Sequence, residues 1–196
     1  VRYITNHSTG KMGYALAEAA MLRGAEVTLI SGPTAIEPPM FVNVIPIISA
    51  QEMFEKVATN ATENDIIIKA AAVADYRPKE VCDEKIKKSD HDTEIELERT
   101  TDILAYLGKN KGKTFLCGFS METENMLENS RRKLDKKNLD MIVANNLKDK
   151  GAGFGVDTNL ITIITRDREL QLELMSKQDA ANCILDEIIR KIGNRE

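Results

Sequence analysis

The sequence predicts a doubly wound α/β fold, with a mostly parallel sheet, helices on both faces and a β-hairpin added near the C-terminus. Three observations indicate this fold. Short apolar runs alternate with amphipathic segments along most of the chain, as in strands joined by helices. Several of these runs are continuous, which is typical of strands buried on both faces. After residue 155 the pattern changes to two strand-like segments around the turn RDR.

The first quarter of the chain predicts a helix and two strands. Residues 4–32 lead from a polar turn into an alanine-rich helix and end in the apolar strand EVTLISG at 26–32. The proline-rich loop GPTAIEPPM separates this strand from a second one, VNVIPI, at 42–47. Ser49 and Glu52 then have the spacing of a capping box, which predicts the start of a second helix.

The middle of the chain predicts four strands and two helices. The strands are marked by continuous or alternating apolar residues, and they lie at 65–73, 94–98, 114–119 and 140–145. A short helix is expected at 102–108, capped by Thr100 or Thr101. A longer and highly charged helix is expected at 124–138.

The last segment predicts a hairpin and a closing helix. A glycine-rich loop at 151–155 precedes NLITIIT and ELQLELM, which flank the turn RDR. The leucines of the second strand alternate with polar residues, as in a hairpin with one wet face. Ser176 and Asp179 start a helix whose apolar residues form one stripe. The residues of these two patterns are Leu170, Leu172 and Leu174, then Ala180, Ile184, Leu185, Ile188 and Ile192.

Composition narrows the function. With 196 residues and 42% apolar content, a single domain over residues 1–196 is expected. The net charge of -4 gives no general attraction to nucleic acid, so we expect a small-molecule partner. No apolar run approaches the ~18 residues of a membrane span, and three widely spaced cysteines suggest reduced thiols in the cytoplasm. The sequence contains only two histidines, so we do not expect a zinc site or a histidine-based catalytic triad.

The opening turn is the first of the loops at the carboxyl ends of strands, where such sheets bind ligands. Its letters STGKMG fit neither the P-loop nor the glycine pattern of a dinucleotide-binding turn. They nevertheless belong to a helix start, where free N–H groups and the helix dipole favour an anion. An ordinary helix cap explains the same letters about as well. The residues concerned are Ser8, Thr9, Gly10 and Lys11.

Two further stretches contain residue types suited to a nucleotide. In AAAVADY, at 70–76, small side chains would let a ligand approach the backbone, and Asp75 could accept hydrogen bonds from a ribose or a base. In EKIKK, at 84–88, lysines could neutralise a polyphosphate, as could Lys133 and Lys137 from one helical face. Tight packing, a turn-forming aspartate and a solvated charged face explain the same residues without a ligand.

Six motifs occur in a characteristic order: RYITNHSTGKMG, AAAVADYRP, EKIKK, TTDIL, GFSMET and RRKLDKKNLDMIVANN. In this order and at these intervals, the chain closely resembles bacterial phosphopantothenate–cysteine ligase, also called phosphopantothenoylcysteine synthetase. The resemblance extends over nearly the whole chain, through the closing LDEII. Several independent motifs in one order make it far more specific than any one of them.

The resemblance implies a modified Rossmann-like sheet that dimerises, and a ligase of coenzyme A biosynthesis that uses CTP, the usual bacterial nucleotide. The carboxylate of 4′-phosphopantothenate would attack the α-phosphorus of CTP, which expels pyrophosphate and leaves an acyl-cytidylate. The amine of L-cysteine would then attack the acyl carbon, which releases CMP and forms the amide. Mg²⁺ would be carried chiefly by the triphosphate, so no protein ligand for a metal is expected.

The resemblance also assigns roles to residues that match the family motifs. Asn6 would hold the acyl-cytidylate and polarise its carbonyl, and Lys85 would stabilise negative charge on the α-phosphate. The residues matched to CTP binding are Ala70, Ala71, Asp75, Lys85, Thr101, Asp102, Ile103, Leu104, Phe119, Lys133 and Lys137. Those matched to phosphopantothenate are Arg2, Asn6, Ser8, Thr9, Gly10, Lys11 and Ala72, and Arg2 would reach across a dimer interface.

The sequence departs from the family pattern at its start, where the family has an earlier strand and a glycine- and threonine-containing turn before VRYIT. Many bacterial relatives also carry a flavin-dependent decarboxylase domain upstream. We therefore expect either a stand-alone ligase or an excised domain.

Two other functions remain open at this point. The first is a nicotinamide-dependent oxidoreductase of the short-chain type, which would need a Tyr-xxx-Lys pair and a fuller glycine pattern. The four tyrosines have no lysine four residues further on. The second is a nucleotide-sensing module without catalysis.

Overall fold

The chain folds into five α-helices, one short 3-10 helix (Ala61–Glu63) and eleven strands over the residues that the structure, a computed structural model, describes: 3–82, 84, 94–122, 124–146 and 155–193. The elements in chain order are α1 (Lys11–Leu22), β1 (Thr28–Ser31), β2 (Asn43–Pro46), α2 (Ala50–Asn60), β3 (Ile66–Lys69), β4 (Tyr76–Pro78), β5 (Leu97–Arg99), α3 (Ile103–Asn110), β6 (Phe115–Glu122), α4 (Met126–Lys136), β7 (Met141–Asn146), β8 (Thr158–Asn159), β9 (Ile161–Thr165), β10 (Glu169–Gln171), β11 (Met175–Ser176) and α5 (Lys177–Gly193).

A five-stranded sheet in the order β10-β9-β7-β6-β3 forms the centre of the fold. Strands β3, β6 and β7 pair in parallel, whereas β9 pairs antiparallel with both β7 and β10. Four of the five strands therefore point the same way, and β9 with β10 forms the added hairpin. The predicted fold class is confirmed.

The central strands are apolar over most of their length, because both faces of the sheet are covered. Phe115 and Cys117 of β6 pack with α1 and α5, while Leu116, between them, packs with α3 and α4. Val143 and Ile142 of β7 divide between the two faces in the same way. These side chains are at most 1% exposed, so alternation in packing, not in polarity, defines these strands.

Three smaller strand pairs surround the central sheet. Strands β1 and β2 form a parallel pair, and β8 with β11 forms an antiparallel one. Strands β4 and β5 form an antiparallel ribbon in which Arg77 faces Glu98 and Pro78 faces Leu97. In the described part of the chain these pairs are separate from the five-stranded sheet.

Three element predictions need correction. The strand predicted at 65–73 ends at Lys69, because its partner β6 pairs with it only as far as Gly118. The strand predicted at 94–98 begins at Leu97 and pairs with β4, which the sequence did not reveal. The strand predicted from ELQLELM ends at Gln171, and Leu174 is 53% exposed instead of alternating into the core.

Helix starts follow local hydrogen-bonding chemistry. The amide of Glu52 donates to Ser49 Oγ at 3.2 Å, and the amide of Asp179 donates to Ser176 Oγ at 3.0 Å, so both predicted caps are confirmed. The cap predicted for α3 is wrong. Asp102, and not Thr100 or Thr101, accepts the Ala105 amide at 3.0 Å.

None of the helices in the described ranges is long and apolar enough to cross a membrane.

Candidate active site

The end of β3 and the loop after it line a cavity of about 340 Å³. The rest of the lining comes from the base of the β4–β5 ribbon, the start of α3 and the residue that follows α4. These parts meet at the carboxyl edge of the parallel strands, where α/β sheets bind ligands. The lining residues are Lys69, Val73, Ala74, Asp75, Tyr76, Arg99, Thr100, Thr101, Asp102, Ile103 and Lys137.

Two hydrogen bonds close the base of the ribbon against the end of β3. The amide of Thr100 donates to the Asp75 carbonyl at 3.0 Å, and the Thr100 hydroxyl donates to the Ala74 carbonyl at 2.6 Å. The guanidinium of Arg99 lies over the Tyr76 ring, 5.8 Å from its centre. Thr100 is thus engaged with the backbone, which explains why it does not cap α3.

Asp102 links the start of α3 to the end of α4. Its carboxylate oxygen Oδ1 accepts a hydrogen bond from the Ala105 amide, and Lys137 Nζ lies 3.0 Å from the other oxygen, Oδ2. Burial opposes the charge of Asp102, but these two donors outweigh it and hold the pKa of the carboxyl below its ordinary value of 3.8. The first amides of α3 and the Lys137 ammonium therefore face the same cavity with an ionised carboxylate between them.

Lys69 ends β3 and projects into the same cavity. Its Nζ donates to the Ala71 carbonyl at 3.0 Å. Burial is the largest influence on this ammonium and nearby Lys137 the next, and together they hold the pKa of Lys69 below its ordinary value of 10.5. Asp102 and Asp75 act in the opposite direction.

The opening turn is fastened to the wall of this cavity by Asn6. Its Nδ2 donates to the Val73 carbonyl at 3.1 Å, and Val73 is one of the lining residues. A side-chain amide carries two N–H groups, so this bond leaves a second donor for a ligand. Asn6 therefore lies at the boundary between the opening turn and the cavity.

The start of α1 is open to a ligand because its N-cap residue is a glycine. Gly10 has φ of 77° and offers no side-chain acceptor to the amides of the first turn. Its own amide donates to Ser8 Oγ at 3.4 Å, and Thr34 Oγ1 donates to the Thr9 carbonyl at 3.3 Å. These bonds hold the turn over the end of β1 with its amides and hydroxyls at one helix start.

Lys11 is committed to another loop. Its Nζ donates to Asp157 Oδ1 at 2.6 Å and to the Gly155 carbonyl at 3.1 Å. The hydrogen bond from Lys11 is the main reason that the pKa of Asp157 lies below its ordinary value. A phosphate at the start of α1 would compete with Asp157 for this ammonium.

Lys133 is paired at the end of β6. Its Nζ donates to Glu122 Oε1 at 2.5 Å and to Ser120 Oγ at 3.1 Å. Burial opposes the charge of Glu122, but the hydrogen bonds from Lys133 and Ser120 outweigh it and lower its pKa. Lys133 lies outside the lining of the cavity that contains Lys137.

Several predicted residues have backbone or packing roles in the structure. Phe119 packs against the core beneath α1 and α5, and Leu104 is buried in the core on the opposite face. Ala70 lies close to α1, since a Cβ on Gly13 would be 4.0 Å from it. Ala71 offers its carbonyl to Lys69. These four, with Ala72, are not among the residues that line the cavity.

Two predicted residues, Arg2 and Lys85, lie outside the described residues. Among the residues that are described, no three His, Cys, Asp or Glu side chains come together as a metal site. Sequence reasoning missed six lining residues of the cavity: Lys69, Val73, Ala74, Tyr76, Arg99 and Thr100. Lys69 had a signal, because it is the one charged residue within the apolar run at 66–73.

Comparison with known proteins gives a match over nearly the whole chain. Residues 1–192 match the family described as DNA/pantothenate metabolism flavoprotein C-terminal domain. The coenzyme A biosynthesis bifunctional protein CoaBC of Bacillus subtilis is 51% identical over 190 residues, which are 96% of this chain and 47% of the relative. A protein named cysteine/cysteine sulfinic acid decarboxylase, from an unknown prokaryotic organism, is 49% identical over 195 residues, 98% of this chain and 53% of its own.

The fold also matches a solved structure. A crystal structure of the C-terminal domain of coenzyme A biosynthesis bifunctional protein CoaBC aligns with a TM-score of 0.84 and 44% identity. The alignment covers 99% of this chain and 88% of that one. The chain thus spans about half the length of the curated relatives it matches, and nearly the whole of this solved domain.

Proposed function

The chain belongs to the family of DNA/pantothenate metabolism flavoprotein C-terminal domains, and we propose that it joins 4′-phosphopantothenate to L-cysteine with CTP in coenzyme A biosynthesis. The observation that carries this proposal is the meeting of the opening turn with the cavity at the end of β3, through Asn6 and Val73. Both motifs belong to the family pattern, and relatives that share it are named for coenzyme A biosynthesis.

The chemistry requires alignment and charge stabilisation more than a protein nucleophile. A carboxylate is a poor acyl donor, because its leaving group would be oxide. Transfer of cytidylate to it replaces oxide with CMP, and the amine of cysteine then completes the amide. Enzymes accelerate such steps by holding the reactants in line and by stabilising charge at phosphorus and at the acyl oxygen.

We assign the cavity of about 340 Å³ to the nucleotide. Lys137 and the first amides of α3 supply positive potential for phosphate, and Asp75 offers a carboxylate to a ribose or a base. Lys133 lies outside this cavity and is paired with Glu122, so it can contact a nucleotide only if a phosphate replaces Glu122 as its partner. Thr101 and Ile103 line this cavity and are proposed to contact the nucleotide. Ala70, Ala71, Leu104 and Phe119 do not line it, so for them a nucleotide contact is proposed from the family pattern alone.

We assign the opening turn to the acyl substrate. Asn6 polarises the acyl carbonyl with the N–H that Val73 does not use, and the start of α1 attracts a phosphate or the polar groups of a pantetheine chain. Ser8, Thr9, Gly10 and Ala72 contact this substrate in the proposal. Lys11 contacts the substrate in the proposal by giving up its ion pair with Asp157.

The remaining assignments follow from the family pattern. Lys85 is proposed to stabilise charge on the α-phosphate, and Arg2 to reach the phosphopantothenate of a second subunit. Mg²⁺ is proposed to arrive with the triphosphate, whose oxygens are the ligands that this ion prefers. We further propose that the protein works in the cytoplasm, where its three free cysteines would stay reduced.

A homodimer is also part of the proposal, and the β4–β5 ribbon supports it. One face of the ribbon carries the ion pairs Arg77–Glu98 and Lys79–Glu96. The other face exposes apolar side chains, with Ile95 59% and Leu97 45% exposed, and Val81 nearby is 83% exposed. Exposed apolar surface of this kind marks interaction sites.

The test is a pyrophosphate-release assay with phosphopantothenate, cysteine and each nucleotide in turn, with the amide product measured in parallel. We expect release with CTP that depends on phosphopantothenate, and amide only when cysteine is added. Carbon dioxide release from cysteine alone would instead favour the activity named for the second relative. Nucleotide binding with no release of pyrophosphate would indicate a sensor.

A further inference from the structure

Lys69 is a charged residue at the floor of the proposed nucleotide cavity that the family assignments leave unused. It is the last residue of β3, and its ammonium donates to the Ala71 carbonyl at 3.0 Å, two residues further along the same turn. A carbonyl satisfies one of the three N–H donors of an ammonium and does not neutralise its charge. The ammonium is thus fixed in position and is partly buried.

The charges around Lys69 come from each element that packs against it. Lys137 and Lys133 on or next to α4 repel it, whereas Asp102 at the start of α3 and Asp75 after β3 attract it. Arg99 of β5 lines the same cavity. Asp102 is already paired with Lys137 at 3.0 Å, so it does not neutralise both ammonium groups. The free cavity thus holds an excess of positive charge next to the first amides of α3.

We propose that Lys69 binds a phosphate of the nucleotide together with Lys137. This inference rests on the proposed function, and it adds a residue that the family motifs do not assign. A phosphate supplies the oxygens that the remaining donors of Lys69 require, and its charge compensates the two ammonium groups at once.

Phosphate is favoured over the base for a physical reason. A cytosine edge offers a donor as well as acceptors, and neither neutralises a partly buried cation. A phosphate brings net negative charge into a site of reduced dielectric, where the interaction is stronger than in water. The start of α3 contributes in the same direction.

Binding of a phosphate should be linked to the proton on Lys69. Burial and Lys137 lower the pKa of this lysine in the free protein, and an anionic ligand would raise it again. Affinity for CTP is therefore expected to be greatest while Lys69 is protonated in the free protein, and to fall as the pH rises through the lowered pKa.

The first experiment compares binding of CTP and of cytidine, each with Mg²⁺, to the wild-type protein and to Lys69→Met. Loss of one charge-assisted hydrogen bond should weaken CTP binding about 10- to 100-fold, with cytidine binding changed less than about twofold. Lys136→Met is the matched control, because it removes the same charge from the exposed face of α4. It should leave both affinities within about twofold.

The second experiment uses Lys69→Arg, which keeps the charge but does not titrate below pH ~12. The alkaline fall in CTP affinity seen with the wild-type protein should become smaller in this variant. A lysine with a merely structural role would give the same pH profile in both proteins. Thermal unfolding of each variant shows whether the fold is intact, and Lys69→Gln provides a second neutral variant if Lys69→Met is unstable.

Several results would overturn the inference. CTP affinity within twofold of wild type in Lys69→Met would do so, as would an equal loss for CTP and cytidine. If the wild-type protein binds CTP and makes the amide, such results count against Lys69 alone. If it binds no triphosphate, the proposed function fails with it.

Discussion

Asn6 shows how one side chain can join two parts of the proposed site. It lies in the opening turn, yet its amide donates to the carbonyl of Val73, 67 residues away in sequence. The bond fixes the orientation of the amide, so the second N–H has a defined direction. A donor held in this way stabilises charge without reorganising during the reaction.

Replacement of Asn6 by Asp should separate the two half-reactions. The carboxylate cannot donate to the acyl oxygen, whereas attack on the α-phosphorus does not use this donor. We expect pyrophosphate release to continue while amide formation falls by about 10²- to 10³-fold. Single-turnover measurement of both products tests this.

Asn110→Asp is the matched control for Asn6→Asp. Asn110 also donates from its side chain to a backbone carbonyl, that of Tyr106, but it lies at the far end of α3. Asn110→Asp should leave the amounts of pyrophosphate and of amide unchanged. Pyrophosphate and amide that decline in parallel in Asn6→Asp would contradict the proposed role.

Asp102 should give the protein a pH-dependent stability. Its pKa is below 3.8 in the folded protein, so its contribution is present above that value and is lost as the pH falls through the lowered pKa. Asp102→Asn keeps a capping oxygen but loses the charge that pairs with Lys137. We expect it to lower the unfolding free energy by less than about 1 kcal/mol at pH 7, because the pair is partly exposed.

Urea unfolding at pH 7, 5 and 3 measures this difference. The gap between Asp102→Asn and the wild type should be smaller at pH 3 than at pH 7, because the contribution of the charge is lost as the pH falls through the lowered pKa. Asp135→Asn, on the exposed face of α4, should show no such gap at any of the three pH values. A gap of constant size in Asp102→Asn would show that the ion pair does not contribute.

Helices α3 and α4 depend on a close contact that also positions Lys137. A Cβ built on Gly108 would lie 1.8 Å from the Lys137 carbonyl oxygen, so only glycine fits there. Asn138 reinforces the contact, because its Nδ2 donates to the Gly108 carbonyl at 2.9 Å. The backbone of Lys137 is fixed against one end of α3 while its side chain reaches Asp102 at the other.

Gly108→Ala should therefore affect both stability and nucleotide binding. Separation of two packed helices costs about 1–3 kcal/mol or more, and it moves Lys137 away from the cavity. Denaturant unfolding and CTP titration measure the two effects. Gly193→Ala is the control, because a Cβ there meets no atom within 4 Å, and it should change neither property. Equal stability of Gly108→Ala and the wild type would show that the helices tolerate the wider spacing.

In the assembled molecule, the sheet buries two cores and leaves the proposed site at its carboxyl edge. The core side chains of β6 and β7 are almost completely buried, whereas the β4–β5 ribbon is separate from the central sheet and exposes an apolar face. In the sequence, Lys85 lies between the two strands of this ribbon, and Tyr76 and Arg99 of the ribbon line the proposed cavity. A partner subunit that covers the ribbon would thus act close to the proposed site.

The homodimer is tested by sedimentation velocity over a range of protein concentrations. We expect the mass of a dimer for the wild type and a shift toward monomer for Ile95→Glu, which adds a charge to the apolar face of the ribbon. Leu22→Glu changes an apolar residue at the end of α1 that is even more exposed, at 71% against 59% for Ile95, and this variant should remain dimeric. A wild-type protein that is monomeric at all concentrations would contradict the proposal.

The local features of the fold could be predicted because they depend on neighbouring residues. Apolar periodicity identified the helices and the buried strands, and Ser49 and Ser176 cap their helices as their spacing predicts. The motif order also led to the family, which the match over residues 1–192 confirms. None of this required knowledge of which strands are neighbours.

The composition of the cavity depended on long-range contacts instead. Thr100 could not be recognised as a backbone tie, nor Asp102 as the cap of α3, until the carbonyl of Ala74 was known to lie beside Thr100. The sequence placed Lys69 in the middle of a longer strand. The structure shows that Lys69 ends β3, because the pairing with β6 stops there. Sequence patterns record the preferences of nearby residues, whereas the charges that meet in this cavity are brought together only by folding.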